Sequence, residues 1–195
     1  MISHEHKFIY TRVAKTASST IMHLIRKYVD DLTTVVDDDW IHDVNHVPLW
    51  YLEKNIPEKE FNLYFKFGFV RNPWDRLVSA YHYSLKWYAE NDAQKLNLKR
   101  FDNFSTWMRP VHTGFNKYGS QYSYVRGCDF IGRTENFQED FNTVCDKIGI
   151  PKQQLPHKNA TKHEHYTEYY DDETREIVAE KYAKDIEYFG YKFGE

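Results

Sequence analysis

The chain has 195 residues, of which 41% are hydrophobic and 17% aromatic, and its formal net charge is −3. This length and apolar content suit one globular domain with a sizeable core, so we predict a single domain over residues 1–195. A net negative charge argues against a general nucleic-acid or membrane-surface binder, because such proteins neutralise phosphates with an excess of Lys and Arg. Any anion site must therefore be local.

The sequence contains no apolar run near the roughly 20 residues that cross a bilayer. Residues 1–7 are polar and lack the hydrophobic core of a signal peptide. These features predict a cytoplasmic protein without a membrane span and without a nucleic-acid partner. They leave the oligomeric state open.

The first half of the chain predicts two strands, each followed by a helix. Residues 7–13 form a β-rich run, and apolar residues then recur at helical spacing between positions 21 and 32. Residues 63–70 predict a buried second strand. Asn72 suits the N-cap of the next helix and Pro73 its first position.

The second half of the chain continues this alternation. A strand over residues 129–133 precedes a helix that Gly149 ends, and Asp171 with Asp172 opens one last helix. Alternating strands and helices predict an α/β fold with three layers, α/β/α, around a central parallel sheet. Ligands of such sheets bind at the carboxyl ends of the strands.

A basic, hydroxyl-rich loop follows the first predicted strand. Residues 12–20 read RVAKTASST, and small residues of this kind let backbone amides surround an anion at a helix N-terminus, where Lys15 adds a positive charge. Ordinary helix capping is the alternative. The loop is not a Walker A motif, because its lysine comes early and it contains no glycine.

A second anion-binding pattern follows the strand over residues 63–70. Residues 69–81 read FVRNPWDRLVSAY, and Arg71 presents a fork of donors suited to a phosphate, while Ser79 lies two turns into the helix. The alternative is that Arg71 forms a structural ion pair with Asp75 or Asp129. Arg76 is predicted to be structural.

Both patterns resemble motifs of the PAPS-dependent sulfotransferases, where PAPS is 3′-phosphoadenosine-5′-phosphosulfate. Residues 12–20 resemble the 5′-phosphosulfate loop of the carbohydrate branch, which includes heparan sulfate 2-O-sulfotransferases, with Ala14 in place of the usual proline. Residues 69–81 resemble the 3′-phosphate motif. The resemblance implies a P-loop-like fold, PAPS as sulfuryl donor, no metal ion, and a hydroxyl acceptor on a carbohydrate.

Two further segments are similar to the family. Residues 129–137 (DFIGRTENF) resemble the strand end near the adenine, although Thr134 replaces an aromatic residue, and residues 155–162 (LPHKNATK) resemble a loop over the nucleotide. Helix capping and a solvated loop are the respective alternatives. The resemblance thus implies these nucleotide-binding residues: Arg12, Lys15, Thr16, Ala17, Ser18, Ser19, Thr20, Arg71, Ser79, Arg133, Thr161 and Lys162.

The predicted catalytic residues are His46 and Lys15. Sulfuryl transfer to an alcohol needs a proton acceptor and a positive charge near the departing phosphate. A neutral imidazole accepts a proton near physiological pH, and His46-Val47 matches the family's catalytic histidine element. His42 is the alternative base, and Asp43 could orient either ring.

Three other readings of the sequence stay open. A P-loop nucleotide kinase shares the strand, loop and helix but requires Gly-Lys-Ser/Thr and a magnesium carboxylate. A catalytically inactive module could keep only the nucleotide site. A metal site at His157, His163 and His165 lacks the Cys or carboxylate spacing that would complete a tetrahedral set.

Overall fold

The computed structural model describes residues 1–30, 46–90, 103–108, 118–155 and 164–195. It divides into two compact units. The first unit comprises Met1–Arg71 and Gln121–His157, and the second comprises Asn72–Ser120 and Lys158–Glu195. The single domain that the sequence predicts stays a prediction.

The first unit contains the sheet. Its strands are β1 (Ile2–Ser3), β2 (Phe8–Thr11), β3 (Phe65–Val70) and β4 (Phe130–Arg133), which lie side by side in chain order. β2, β3 and β4 are parallel, whereas β1 pairs with β2 antiparallel. The predicted strands are confirmed with shorter bounds. β1 was missed because two residues are too few to show a strand pattern.

The described helices follow the predicted alternation, with additions. In chain order they are α1 (Ser18–Ile25), α2 (Leu49–Asn55), α3 (Glu58–Leu63), α4 (Pro73–Glu90), α5 (Phe104–Met108), α6 (Tyr122–Val125), α7 (Phe137–Ile148), α8 (Asp172–Lys181) and α9 (Ala183–Phe189). The strand predicted from Leu63 is wrong at its start, since Leu63 ends α3 and is 60% exposed.

Both faces of the sheet are covered within the first unit. Side chains alternate along a strand, so Phe8 and Tyr10 point to one face and Ile9 to the other. Phe8 and Tyr10 pack in a cluster with buried residues of α1 and α7. Ile9 packs with buried residues of α2 and α3. Helices therefore lie on both faces of the sheet, which makes the fold α/β.

Packing requires a glycine at position 132, in β4. A Cβ there would lie 2.4 Å from Cε1 of Phe69, a fully buried residue of β3. We expect Gly132→Ala to lower the free energy of unfolding by about 1–3 kcal/mol, because the Phe69 ring must shift. Urea unfolding followed by circular dichroism measures this loss.

Gly119→Ala is the control for that substitution, since an added Cβ there meets no atom of the described residues within 4 Å. We expect it to change stability by no more than about 0.5 kcal/mol. Equal unfolding midpoints for both variants would contradict the packing argument.

In the second unit, α4 begins as predicted. Asn72 Oδ1 accepts a hydrogen bond from Trp74 N at 3.1 Å, and Pro73 is the first helical residue. Arg76 is 2% exposed and donates to Gly119 O at 2.9 Å. This buried contact is consistent with the structural role predicted for Arg76.

The final helix differs from its prediction. Asp171 forms the predicted N-cap, accepting from Thr174 N at 2.7 Å. The helix then breaks at Tyr182, which separates α8 from α9. Tyr182 is 2% exposed and its hydroxyl donates to Tyr118 O at 2.6 Å. This tertiary contact accompanies a break that the apolar spacing did not indicate.

No helix within the described ranges is long and apolar enough to span a membrane. The cytoplasmic location stays a prediction.

Candidate functional site

Basic residues lie at the carboxyl ends of all three parallel strands. The register pairs Thr11 with Gly68 and Val70 with Arg133, so β2, β3 and β4 end at the same edge of the sheet. Lys15 lies in the loop after β2, Arg71 directly follows β3, and Arg133 is the last residue of β4. Ligands of parallel sheets bind at this edge. The first unit thus brings three predicted nucleotide-binding cations to one edge.

The loop between β2 and α1 has an unusual backbone. Lys15 has φ 68° and Ala17 has φ 56°, both in the left-handed region that residues other than glycine rarely adopt. Ala17 caps α1, and its carbonyl accepts from Thr20 N at 2.9 Å. Left-handed residues at such turns direct successive amides into an anion-binding concavity. The strained loop therefore suits an anion at the N-terminus of α1.

The hydroxyl residues of this loop differ in exposure. Thr16 is fully buried and donates to Val13 O at 2.9 Å, which closes the turn. Ser18 and Thr20 are also buried, whereas Ser19 is exposed. Thr16 therefore has a structural role in addition to any contact with a ligand.

Lys15 and Arg71 interact electrostatically. Burial, and secondly the positive charge of Arg71, lower the pKa of Lys15 from 10.5 to about 8. A like charge near a half-buried lysine disfavours the ionised form of that lysine. A bound anion would relieve this repulsion. The pair is thus electrostatically suited to an anionic ligand.

Arg71 is held by Gln121, a residue that the sequence analysis missed. Gln121 Oε1 accepts from Arg71 N at 2.9 Å, and Gln121 Nε2 donates to Arg71 O at 2.7 Å. Asp129, one of the proposed ion-pair partners of Arg71, instead pairs with Lys66 Nζ at 3.0 Å. No local pattern marks Gln121, because it lies 50 residues from Arg71 in the chain.

His46 lies beside the same loop. Its Nδ1 is 3.3 Å from Arg12 O. The next residue is fixed as well, since the buried hydroxyl of Thr11 donates to Val47 O at 2.8 Å. Because a carbonyl oxygen only accepts, Nδ1 is the donor in this contact, and a neutral imidazole in this orientation would have its lone pair on Nε2. The structure therefore places His46 next to the loop, and its role as the base stays a prediction.

The other predicted site residues are placed as follows. Arg12 is 9% exposed and directly follows β2. Arg133 is exposed, and its backbone N donates to Asp140 Oδ2 at 2.6 Å. Ser79 is half-buried on α4 in the second unit, so its convergence with Arg71 stays a prediction. Four predicted residues lie outside the described ones: His42, Asp43, Thr161 and Lys162.

The metal alternative is not supported by the part of the chain that the structure describes. That part contains no group of three or more His, Cys, Asp or Glu residues suited to a metal ion. His157 and His163 lie outside it, and His165 Nδ1 contacts Thr167 Oγ1 at 2.7 Å. A reaction without a metal stays a prediction.

Comparison with known proteins gives one family and several relatives. The model of the sulfotransferase family matches residues 1–192. An uncharacterized protein of Archaeoglobus fulgidus is 34% identical over 55% of this chain and 86% of its own length. Carbohydrate sulfotransferase 14 of Danio rerio is 26% identical over 98% of this chain. Carbohydrate sulfotransferase 11 of Mus musculus is 26% identical over 77% of it.

The alignments cover only part of the two carbohydrate sulfotransferases, 61% and 53% of their respective lengths. No solved structure matches significantly. The family model nevertheless covers almost the whole chain, including the loop after β2, the end of β3 and the end of β4. The chain belongs to the sulfotransferase family.

Proposed function

We propose that this protein transfers a sulfuryl group from PAPS to a hydroxyl of a carbohydrate acceptor. The observation that carries the proposal is the interaction between Lys15 and Arg71, on loops that follow adjacent parallel strands. In a member of the sulfotransferase family, this pair of cations suits a donor with two anionic groups. The three-layer, P-loop-like arrangement is part of the same proposal.

The donor would be held from both of its ends. Lys15 and the amides at the start of α1 hold the 5′-phosphosulfate, together with Arg12 and the hydroxyl residues between positions 16 and 20. Arg71 holds the 3′-phosphate, and Arg133 lies at the same edge of the sheet. The contributions of Ser79, Thr161 and Lys162 to the nucleotide site follow from the motif resemblance alone and stay predictions. The lowered pKa of Lys15 supports this assignment, because its causes are first burial and secondly the charge of Arg71, and an anion bound beside both cations would offset them.

The reaction is an in-line displacement at sulfur. PAPS supplies a sulfuryl group whose leaving group is a nucleotide phosphate. His46 Nε2 accepts the proton of the acceptor hydroxyl as the new O–S bond forms. Lys15 stabilises the negative charge on the phosphate oxygen as the old S–O bond breaks. The chain's own contribution is therefore positioning and electrostatic stabilisation.

A carbohydrate acceptor is supported by the names of two relatives, which are both carbohydrate sulfotransferases. Each shares 26% identity with this chain, and this likeness supports the class of acceptor. We therefore propose a saccharide as acceptor partner without naming it.

A transfer screen tests this function. The protein is incubated with ³⁵S-labelled PAPS and a panel of polysaccharides, oligosaccharides and small alcohols, with and without EDTA. We expect label to appear on a saccharide at the same rate in EDTA, because the proposed site uses Lys15 and Arg71 in place of a metal ion. Label confined to small alcohols would contradict the carbohydrate acceptor.

Two outcomes would support the rival readings. Phosphate transfer from ATP that EDTA abolishes would indicate a nucleotide kinase. Calorimetric binding of 3′-phosphoadenosine-5′-phosphate (PAP), the desulfated product, without transfer to any acceptor would indicate an inactive binding module. Either result would replace the proposed activity.

A further inference from the structure

We propose that Gln121 is the positioning residue that sets Arg71 for the 3′-phosphate, and so makes the site selective for a nucleotide that carries this group. The inference rests on the proposed function, since it assigns a role within the same nucleotide site. It adds a residue that acts through Arg71 and that no motif of the sequence indicates.

The contact between Gln121 and Arg71 has two arms. The side-chain amide accepts from the N–H of Arg71 and donates to its carbonyl, at 2.9 and 2.7 Å. Only one orientation of the amide satisfies both bonds, because the reversed amide would place donor against donor. The side chain of Gln121 thus bonds Arg71 as a neighbouring strand would bond it.

Arg71 lies where the hydrogen-bonded pairing of β3 with β4 has ended, and the side chain of Gln121 takes the place of a neighbouring strand there. The pairing of β3 with β4 reaches Val70 and Arg133, and Arg71 lies one residue beyond it. Gln121 is fully buried, so its two bonds with Arg71 form away from water. Buried bonds of this kind fix a peptide more firmly than exchangeable bonds to water. The direction in which the Arg71 side chain leaves the sheet is therefore set by Gln121.

Gln121 is itself anchored. Its carbonyl accepts from Tyr124 N at 2.9 Å and Val125 N at 3.1 Å, at the start of α6. Val125 is fully buried and packs so closely on β3 that a Cβ at Gly68 would lie 2.8 Å from Val125 Cγ1. Gln121 is thus anchored, through Val125, on β3, which is also the strand whose end it bonds at Arg71.

The clamp also opposes a repulsive force. Burial, and secondly the charge of Arg71, lower the pKa of Lys15, so the charged form of Lys15 is disfavoured beside Arg71 in the absence of an anion. A backbone held at both its N–H and its carbonyl resists movement away from Lys15. Gln121 therefore holds the Arg71 backbone in place before an anion binds, which reduces the conformational entropy lost on binding.

Calorimetric titration with two nucleotides tests this role. PAP carries the 3′-phosphate and 5′-AMP lacks it. Gln121→Met preserves side-chain volume but removes both bonds, so we expect PAP affinity to fall about 5- to 10-fold and AMP affinity to change by less than about twofold. In an Arg71→Ala background, Gln121→Met should weaken PAP binding by less than about twofold, because both changes then act on one contact.

Asp129→Ala is the matched control. Asp129 Oδ2 accepts from Lys66 N at 2.7 Å, so it binds the backbone at the opposite end of the same strand. We expect it to lower the melting temperature while leaving the ratio of PAP to AMP affinity unchanged. If Gln121→Met does not fold, as judged by circular dichroism, Gln121→Asn, which is too short to make both bonds, serves the same comparison.

Two results would overturn the inference, and they are distinguishable. Equal losses of PAP affinity and AMP affinity in the Gln121 variant would show a structural role only. So would losses of PAP affinity from Gln121→Met and Arg71→Ala that are additive in the double variant. A wild-type protein that binds neither nucleotide would overturn the proposed function and this inference with it.

Discussion

Lys15→Ala is expected to reduce sulfuryl transfer by about 10²–10³-fold or more, the usual cost of removing a group that stabilises transition-state charge. Lys15 lies in the strained loop at the start of α1, where the leaving phosphate is proposed to bind. The rate of label transfer from PAPS to the saccharide found by screening measures the loss. Lys27→Ala removes an exposed lysine after α1 and should leave the rate unchanged.

The same substitution separates activity from stability. The pKa of Lys15 is lowered from 10.5 to about 8, so the unfolded chain holds this proton more tightly than the folded protein does. The contribution of Lys15 to stability therefore rises with pH between about 8 and 10.5, and is least favourable below pH 8. We expect Lys15→Ala to be no less stable than the wild type at pH 7 in thermal melts. A large destabilisation together with lost transfer would point to misfolding.

His46→Ala is expected to lower turnover by about 10²–10⁴-fold, the range for a lost general base. Its Nδ1 contacts Arg12 O, Nε2 is the proposed proton acceptor, and the imidazole has no proposed contact with the nucleotide. PAP affinity should therefore change by less than about twofold, because the loss of an interaction that forms only in the transition state leaves nucleotide binding unchanged. Single-turnover transfer and calorimetry measure the two quantities on the same preparation.

His23→Ala is the control for this variant, because His23 is an exposed histidine on α1. It should retain wild-type turnover. Normal turnover in His46→Ala would exclude His46 as the base and favour His42, the alternative base. A fall in PAP affinity equal to the fall in turnover would assign His46 to nucleotide binding.

Local patterns in the sequence were sufficient for the three parallel strands and for the helix that follows each of them, whereas α2, α3, α5 and α6 were not predicted. The apolar run before Asn72-Pro73 predicted β3 and the start of α4, and Gly149 predicted the end of α7, where it adopts φ 70°. These features depend on residues a few positions apart, so a short window of sequence contains their cause. The short strand β1 depends on its pairing with β2, which no local window contains.

The candidate site was predictable only in part, for the same physical reason. The loop after β2 and the arginine after β3 are contiguous motifs, and their types of residue indicated anion binding before the fold was known. The sequence predicted a parallel sheet, but their proximity also needed β2 and β3 to be neighbouring strands in this register, which only the three-dimensional structure shows. The contact of His46 with Arg12 O spans 34 residues.

The sequence by itself determined the alternation of strands and helices, the two basic loops and, through their resemblance to known motifs, the sulfotransferase family. Tertiary structure decided three further things: the burial of Lys15 near Arg71, which lowers the pKa of Lys15, the two hydrogen bonds of Gln121 with Arg71, and the contact of His46 Nδ1 with Arg12 O. Charge repulsion and buried hydrogen bonds act over a few ångströms in space whatever the separation along the chain. They therefore exist only once the sheet has brought its strand ends together.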